Sequence, residues 1–328
     1  MAAVKSKVLA LLEEHRGSAL SGGKIAEKLQ ISRAAVWKAV EALRQEGYEI
    51  SAVTNRGYCL SSESDRLSPE GIRPYLATPY RNTELVVYQL IDSTNNAAKR
   101  LALEGAAHGT AVLAEQQSGG KGRRGRSFYS PPGTGLYLTV ILKPARNIQQ
   151  SMLVTAAAAV AVTRALHRLG GIDSQIKWVN DVYLNGRKIC GILAEAVTNL
   201  EDGAIEYVVV GIGVNLVSPS KGYPEELRSK ITSVQAETGI RLSRNQLAGE
   251  IISQLLELTA QNDGSGFLEE YRARSCVLGR AVNIFSPAGE SHGTALDITP
   301  EGHLVVRLND GSITTLSSGE ITIRTTER

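Results

Sequence analysis

The sequence predicts a multidomain α+β protein: a winged helix-turn-helix first, a central mixed α/β domain next, and a small β-barrel of the SH3 type last. Three observations carry this. Residues 1–62 run helix, helix–turn–helix, hairpin. Residues from about 67 to 274 alternate strand-like with helical runs, and the tail, about 275–328, consists of short alternating strands between turn residues. At 328 residues the chain is also too long for one small core, and usual domain sizes suggest two or three domains.

In the first piece, Val4, Val8, Leu11 and Leu12 recur at helical spacing until Gly17 stops the run. Ile25 and Leu29 form an i,i+4 pair of a second short helix. After a turn at Gln30-Ile31, Ser32 is placed to cap a third helix with the apolar face Val36, Val40 and Leu43, ended by Gly47. Tyr48 to Val53 and Tyr58 to Leu60 then read as strands around the turn Thr54-Asn55-Arg56-Gly57. Arg33, Lys38 and Arg44 lie on faces of the third helix that the core does not need, and Arg56 tips the wing. Together with Ser32 they form a candidate DNA-reading surface. Nine Lys/Arg against six Asp/Glu over residues 1–60 support it only modestly, and a plain helical bundle packed on the rest of the protein remains the alternative.

A polar stretch, Ser61 to Asp65, reads as a linker. Beyond it, strands are expected at Leu85 to Ile91, Ala111 to Ala114, Leu136 to Leu142 and Tyr207 to Val214. Helices are expected at Asn95 to Leu103, Gln149 to Leu169 and Arg244 to Gln261. The tail strands are Ala281 to Phe285, Gly293 to Ile298, Leu304 to Leu308 and Ile313 to Leu316, punctuated by Pro300-Glu301-Gly302 and Asn309-Asp310-Gly311.

Composition narrows the function classes. A net charge of +3 makes no case for nucleic acid by itself. The three cysteines, Cys59, Cys190 and Cys276, are far apart and the five histidines scattered, so neither a disulfide framework nor a structural metal site is expected. The N-terminus lacks the apolar stretch of a secretory signal, and the longest apolar run, Met152 to Thr163, is too short to span a bilayer. A cytoplasmic protein without a membrane partner is expected.

The segment from Gly119 to Arg126 packs four glycines and four cations into eight residues. Glycine lets a backbone approach a ligand closely, and the cations suit carboxylate and phosphate. Gly120, Gly122 and Gly125 match the dinucleotide-binding fingerprint, yet Ser127-Phe128-Tyr129-Ser130-Pro131-Pro132 follows where a helix should begin. The sequence also lacks a P-loop and the kinase catalytic elements. Taken alone, the loop equally suits an RNA-binding or merely solvated segment.

Its companions add to it. The first central strand ends in Asp92-Ser93-Thr94-Asn95, small polar groups suited to a neutral ligand or simply to capping a helix. Lys177-Trp178-Val179-Asn180-Asp181-Val182-Tyr183 leads through an Asn185-Gly186 hairpin turn to Arg187-Lys188-Ile189-Cys190-Gly191-Ile192-Leu193-Ala194-Glu195. Gly211-Ile212-Gly213-Val214-Asn215 closes a later strand. Lys177 and Lys188 also suit ordinary surface positions, and Trp178 with Ile192-Leu193 suits either a pocket wall or the sheet core.

In this order, and over the whole chain, these segments resemble the bifunctional biotin protein ligase/biotin operon repressor family. The resemblance implies a central domain like the class II aminoacyl-tRNA synthetase and biotin–lipoate ligase folds. It implies ATP-dependent adenylation of biotin to biotinyl-5'-AMP, then transfer to a lysine of a biotin carboxyl carrier domain such as that of acetyl-CoA carboxylase. It also implies repression of biotin genes through operator DNA, with biotinyl-AMP promoting the homodimer. Ser93, Thr94, Asn95 and Gln117 would hold the biotin head, and Gly191 would let backbone near its ring. Lys121, Gly122 and Arg123 would close over the carboxylate and phosphate, and Lys188 would contact both. Arg126, Asn180, Asp181 and Asn215 would lie near the nucleotide and its Mg²⁺. Many members carry Arg where this chain has Lys121, which keeps the charge but loses the bidentate fork. The residues suit the reaction, since two anions must meet and fixed cations, Arg123 and Lys188 first, lower that barrier. A lipoate or octanoyl ligase and a non-catalytic effector sensor are the competing readings.

Overall fold

The structure is a computed structural model that describes residues 2–54, 56–143, 150–198, 205–260, 265–286, 289–317 and 320–323. Asn55, Gln149 and Gln261, expected at a turn and at two helix ends, lie outside the described residues. The chain forms two compact units, one of residues 1–82 with 243–249, the other of residues 83–242 with 250–328.

The first unit contains α1 (Ala2–Glu14), α2 (Gly22–Leu29), α3 (Arg33–Gln45), β1 (Ile50–Val53), β2 (Gly57–Leu60) and the short α4 (Pro69–Ile72). The helical spacing read from the sequence delivers Val8, Leu12, Ile25, Val36, Val40 and Leu43 into one core, joined by Leu60 from the hairpin. Ser21 and Ser32 cap α2 and α3 by accepting the backbone N–H of Lys24 and Ala35. Between those helices Gln30 takes the left-handed conformation, its N–H returning to Ala26 O and Glu27 O. β1 and β2 pair antiparallel from Ile50 opposite Leu60 to Val53 opposite Gly57. Gly57 has φ of 108°, and a side chain there would overlap the Leu20 carbonyl.

The polar stretch after the hairpin is tied down. Arg16 Nη1 donates to Ser61 O and Ser64 O. The Arg244 backbone N–H and guanidinium Nε bind the Asp65 carboxylate at 2.8 and 2.9 Å.

In the second unit seven strands form one sheet: β3 (Leu85–Ile91), β4 (Ala111–Gln117), β5 (Gly135–Leu142), β6 (Gln175–Lys177), β7 (Asp181–Leu184), β8 (Arg187–Thr198) and β9 (Ile205–Asn215). Their order is β3-β4-β5-β9-β8-β7-β6, with only β3 and β4 parallel. β5 is buried at every position, as its apolar run, interrupted by Thr139, requires of a strand covered on both faces. The helix α5 (Thr94–Leu103) packs Ala97, Ala98 and Ala102 on Val112, Ile141 and Val209. The next helix, α6 (Gln150–Gly170), buries Ala156 to Val162 against β7, β8 and β9, its small side chains permitting a close approach. There follow α7 (Glu225–Arg228), α8 (Val234–Thr238), α9 (Arg244–Ala260) and α10 (Ser265–Ala273).

The tail forms a five-stranded antiparallel sheet from β10 (Ala281–Ser286), β11 (Gly289–Ile298), β12 (Leu304–Leu308), β13 (Ile313–Leu316) and β14 (Glu320–Ile323). Its order is β13-β12-β11-β10-β14, so the last strand returns beside the first. Trp178 Nε1 donates to Gly302 O at 3.0 Å, and Arg272 Nε to Ile298 O at 2.7 Å, holding this sheet within the second unit. Among the described residues no helix is long and apolar enough to cross a membrane.

Candidate active site and nucleic-acid interface

A cleft of about 840 Å³ in the second unit is lined by Ser93, Thr94, Asn95, Gln117, Lys121, Gly122, Arg123, Arg126, Asn180, Asp181, Lys188, Gly191 and Asn215. All the central residues to which the resemblance gives a binding role therefore meet in one place, although they span 123 positions from Ser93 to Asn215, while Asp92, Gly119, Gly120 and Gly125 do not line the cleft. The topology explains the convergence: the start of α5 just after β3, the loop after β4 and parts of β7, β8 and β9 all supply lining residues.

Ser93 to Asn95 sit where β3 runs into α5. Ser93 occupies the N-cap position, but its side chain makes no capping hydrogen bond, so the simple capping role does not hold. The Gln117 side chain fills that place instead: its Oε1 accepts the Thr94 N–H at 2.8 Å and the Thr94 hydroxyl at 3.1 Å. Gln117 Nε2 donates to Ser130 Oγ at 2.9 Å, which fixes the orientation of the amide. The Thr139 hydroxyl lies 2.8 Å from Thr94 Oγ1 and 2.7 Å from Asn95 Oδ1. These are neutral groups, nearly all buried, that present hydroxyl and amide atoms to the cleft.

The glycine–arginine loop has more regular structure than its composition suggests. Lys121 and Ser127 form an antiparallel bridge, Gly122 N–H donates to Arg126 O, and Phe128 N–H donates to Gly120 O. Gly120 is required there, because a side chain would overlap the Phe128 carbonyl. At the tip, Arg123–Gly125 makes a single 3-10 turn with Arg124 in the left-handed region, φ 54°. Arg123 Nη1 donates to Asn180 Oδ1 at 2.9 Å, and Asn180 Nδ2 in turn donates to Ile192 O at 2.7 Å. Lys121 Nζ reaches Asn96 Oδ1 at 2.7 Å, a single-point contact of the kind an ammonium makes.

Lys188 owes its position to a bulge. β7 and β8 pair Val182 with Cys190 but Tyr183 with Lys188, so β8 carries one extra residue, Ile189. In an unbroken strand Lys188 and Gly191, three apart, would face opposite sides; the bulge brings both to the cleft. Lys188 Nζ lies 2.6 Å from Asp181 Oδ1. A side chain at Gly191 would begin 3.0 Å from that ammonium, so this glycine makes room for Lys188. Gly213 similarly receives the Phe128 ring, which would lie 2.5 Å from a Cβ there. Asn215 ends β9 opposite Gly135 and is buried.

Burial pushes the Cys190 thiol and the Tyr271 hydroxyl well above their ordinary pKa values, so neither ionises near neutral pH. Tyr271 instead donates to Val179 O at 3.0 Å. Glu195 is the opposite case. Its burial works against the charged form, but hydrogen bonds from Lys99 and Asn95 outweigh that and hold its carboxyl below the usual range.

Sequence reading missed five contributors. Phe128 looked like part of a helix-breaking run, Thr139 sat unmarked in an apolar strand, and Phe285, Ile321 and Thr322 line the cleft from the tail sheet. Nothing in their local sequence distinguishes them, because each acts through a nonlocal contact.

In the first unit, Ser32, Arg33 and Lys38 are exposed along α3, and Arg56 is exposed on the hairpin. Arg44 differs: its Nε donates to Ile50 O at 2.8 Å and its Nη1 pairs with Glu41 at 2.6 Å. That guanidinium joins α3 to the start of β1, a structural task that explains its place without DNA. Trp37, not singled out from the sequence, is 54% exposed on α3 between Arg33 and Lys38.

Three family descriptions match successive parts of the chain: an HTH domain at residues 4–59, the Biotin/lipoate A/B protein ligase family at 87–215, and the Biotin protein ligase C terminal domain at 277–324. Over 311 residues the chain is 33% identical to the bifunctional ligase/repressor BirA of Bacillus subtilis (strain 168), covering 94% of this chain and 95% of that protein. It is 31% identical to the bifunctional ligase/repressor BirA of Escherichia coli (strain K12), covering 99% and 98%. Among solved structures, the biotin protein ligase from Aquifex aeolicus in complex with biotin and ATP aligns with a TM-score of 0.63 and 26% identity, over 74% of this chain and 99% of that one. The chain carries a helix-turn-helix domain, a ligase domain and the ligase C-terminal domain, and it aligns over nearly its whole length with the two bifunctional relatives; it belongs to the bifunctional biotin ligase/repressor BirA family.

Proposed function

We propose that this protein adenylates biotin with ATP, transfers the biotinyl group to a lysine of a biotin carboxyl carrier domain, and represses biotin genes from operator DNA with biotinyl-AMP as corepressor. The observation that carries the enzymatic reading is the cleft, where the neutral donors and acceptors of Ser93, Thr94 and Gln117 share one cavity with Lys121, Arg123, Arg126 and Lys188. Neutral hydrogen-bonding groups suit an uncharged ureido ring, and the cations suit the carboxylate and phosphates of the two substrates.

In the first step a biotin carboxylate oxygen bonds to the α-phosphorus of ATP as the bond to pyrophosphate breaks. Both reactants are anions, and charge grows on the phosphoryl oxygens and the leaving group. Lys188 and Arg123 offset that charge, Lys188 by its ammonium beside Asp181, Arg123 by a guanidinium oriented through Asn180. Asn215 and Asp181 carry oxygen donors that would suit a Mg²⁺ ion bound to ATP, and such an ion would neutralise phosphate charge. In the second step the neutral amine of the acceptor lysine attacks the biotinyl carbonyl, AMP leaves, and the new amide nitrogen gives up a proton. The glycine–arginine loop covers the mixed anhydride and keeps water from it.

On this reading residues 1–62 are the winged DNA-binding domain, 67–274 the ligase domain of the synthetase-like fold, and 275–328 an SH3-like barrel; no structural metal takes part. Ser32, Arg33, Lys38 and Arg56 face DNA. One winged helix reads few base pairs, so operator specificity requires a homodimer, which biotinyl-AMP promotes by ordering the loop beforehand. The protein acts in the cytoplasm, where its carrier substrates and its operator are found. Incubation of the purified protein with biotin and MgATP should yield biotinyl-AMP and pyrophosphate, detectable by mass spectrometry. Sedimentation with and without biotinyl-AMP tests the second part: equal dimer constants in the two states would remove ligand-coupled dimerisation.

A further inference from the structure

Asn95 lines the cleft but is 4% exposed, and each atom of its amide already has a partner. Nδ2 donates to Glu195 Oε2 at 2.8 Å and to Leu193 O at 3.2 Å, while Oδ1 faces the Thr139 hydroxyl at 2.7 Å. An amide can flip, exchanging its oxygen and nitrogen, unless its neighbours forbid it. Here they do, because the Glu195 carboxylate only accepts and so must meet the NH₂ group.

Glu195 is itself held. Its second oxygen takes Lys99 Nζ at 2.6 Å. Lys99 stands one helical turn beyond Asn95 on α5, so a single carboxylate on β8 grips two successive turns of the same helix face. Glu195 does not line the cleft. Its reach into the site passes through Asn95 to Thr139, from Thr139 to Thr94 Oγ1 at 2.8 Å, and from Thr94 to Gln117.

The sheet is shaped for this arrangement. Gly211 on β9 pairs with Leu193 on β8, and a side chain at Gly211 would overlap Asn95 Oδ1. The glycine is thus explained by the asparagine that occupies its space, and Asn95 is confined between a carboxylate on one side and bare backbone on the other.

We propose that Glu195 is a positioning residue for recognition of biotin's uncharged ring: by fixing the Asn95 amide it directs the Thr139 hydroxyl and, through it, the hydrogen-bonding state of Thr94 and Gln117. With Asn95 Oδ1 taking the Thr139 proton, the Thr94 proton is shared between Thr139 Oγ1 at 2.8 Å and Gln117 Oε1 at 3.1 Å, and both lone pairs of the Thr94 oxygen stay open to a ligand N–H. If the amide turned over, its NH₂ group would donate to Thr139, which would donate in turn to Thr94 and occupy one of those lone pairs. This role rests on the reading of the cleft as a biotin site.

The test compares full-length wild type with Glu195→Gln, Glu195→Leu and Gly211→Ala, measuring KM for biotin, KM for ATP, kcat for pyrophosphate release, and thermal melting. Glu195→Leu removes the acceptor and should raise the biotin KM about 10- to 100-fold, the loss expected of one hydrogen bond to a charged group. The ATP KM and kcat should stay within about twofold, since uniform substrate binding is what is lost. Glu195→Gln keeps an oxygen that accepts the Asn95 N–H and should recover most of the biotin affinity. Gly211→Ala crowds Asn95 from the other side and should show the same biotin-selective defect with Glu195 intact. An unchanged biotin KM in folded Glu195→Leu overturns the proposal, as does a Glu195→Gln variant as impaired as Glu195→Leu. Should Glu195→Leu fail to fold, an unchanged biotin KM in Gly211→Ala overturns it equally. A wild-type protein that releases no pyrophosphate with biotin overturns the cleft reading itself, whereas an active wild type with unaffected variants overturns only the positioning role.

Discussion

Replacing Lys188 by alanine separates the chemistry of the cleft from its stability. Its ammonium lies 2.6 Å from Asp181 Oδ1, and the two side chains keep 27% and 20% of their exposure. A unit charge about 4 Å from a phosphoryl oxygen, at an effective dielectric of about 20, interacts by about 4 kcal/mol. Asp181 already takes part of that field, so about 3 kcal/mol is the expected loss in the transition state, a fall of about 100-fold in adenylation rate. The same substitution removes an ion pair about a quarter exposed, a contribution to stability of about 1 kcal/mol. Melting should therefore drop by only about 2–4 °C. Lys188→Arg should recover only part of the rate, because Gly191 leaves room for the slender ammonium stem and a guanidinium is broader. Pyrophosphate release at saturating biotin and MgATP, set beside a thermal melt, reads both quantities. A folded alanine variant within about fivefold of the wild-type rate would refute the assignment of Lys188 to developing phosphoryl charge.

Four further outcomes are expected. Arg123→Ala breaks the bond to Asn180 and should let biotinyl-AMP escape several-fold faster, measured by release of labelled intermediate; unchanged release would mean the loop is no cover. Gly213→Ala puts a Cβ 2.5 Å from the Phe128 ring, which must retreat by about 1 Å into the cleft that it lines, so the biotin KM should rise with little loss of melting temperature. Trp37→Ala should weaken operator binding about tenfold in a mobility-shift assay and leave adenylation within about twofold, since the indole is exposed on α3 and is not among the residues that line the cleft. Glu195 has a lowered pKa when folded, so the stability it supplies is present above the ordinary glutamate range and is lost as pH falls through the folded value. The melting difference between wild type and Glu195→Gln should accordingly shrink as pH falls below the ordinary glutamate range, and a gap that widens there would contradict the ion-pair geometry.

Much of the fold was legible because its periodicity is local. The apolar face Val36, Val40 and Leu43 defines α3, and the largely apolar run from Leu136 to Leu142 marks a strand buried on both faces. The Asn185-Gly186 turn is equally plain: both residues have positive φ, 50° and 77°, as a tight hairpin demands. The expected start at Asn95 fell one residue late because Gln117, 22 positions downstream of Asn95, supplies the bond that a capping side chain would make. β14 went unread, since Glu320–Ile323 is too short to show alternation and gains its identity from pairing with β10.

The cleft residues were visible through their chemical types, and their partnerships were not. The sequence offers Lys188 and Gly191 on one expected strand without revealing that a bulge brings them to one side. It offers Arg44 as a spare cation, although the carbonyl of Ile50 and the carboxylate of Glu41 engage it. Glu195 reads as the end of a motif, and only the pairing of β8 with β9 beneath α5 gives its carboxylate two turns of helix to hold. Each miss concerns a contact between distant segments, where residue type and spacing carry no signal.

The central claim is that this cleft activates biotin for transfer to a protein. The most direct measurement is the intact mass of a purified biotin carboxyl carrier domain after incubation with this protein, biotin and MgATP. The account requires the carrier to gain a single biotinyl group, mapped by peptide fragmentation to one lysine, with the gain abolished when ATP is withheld. A carrier of unchanged mass, in a reaction where a known biotin ligase modifies the same carrier, would contradict it.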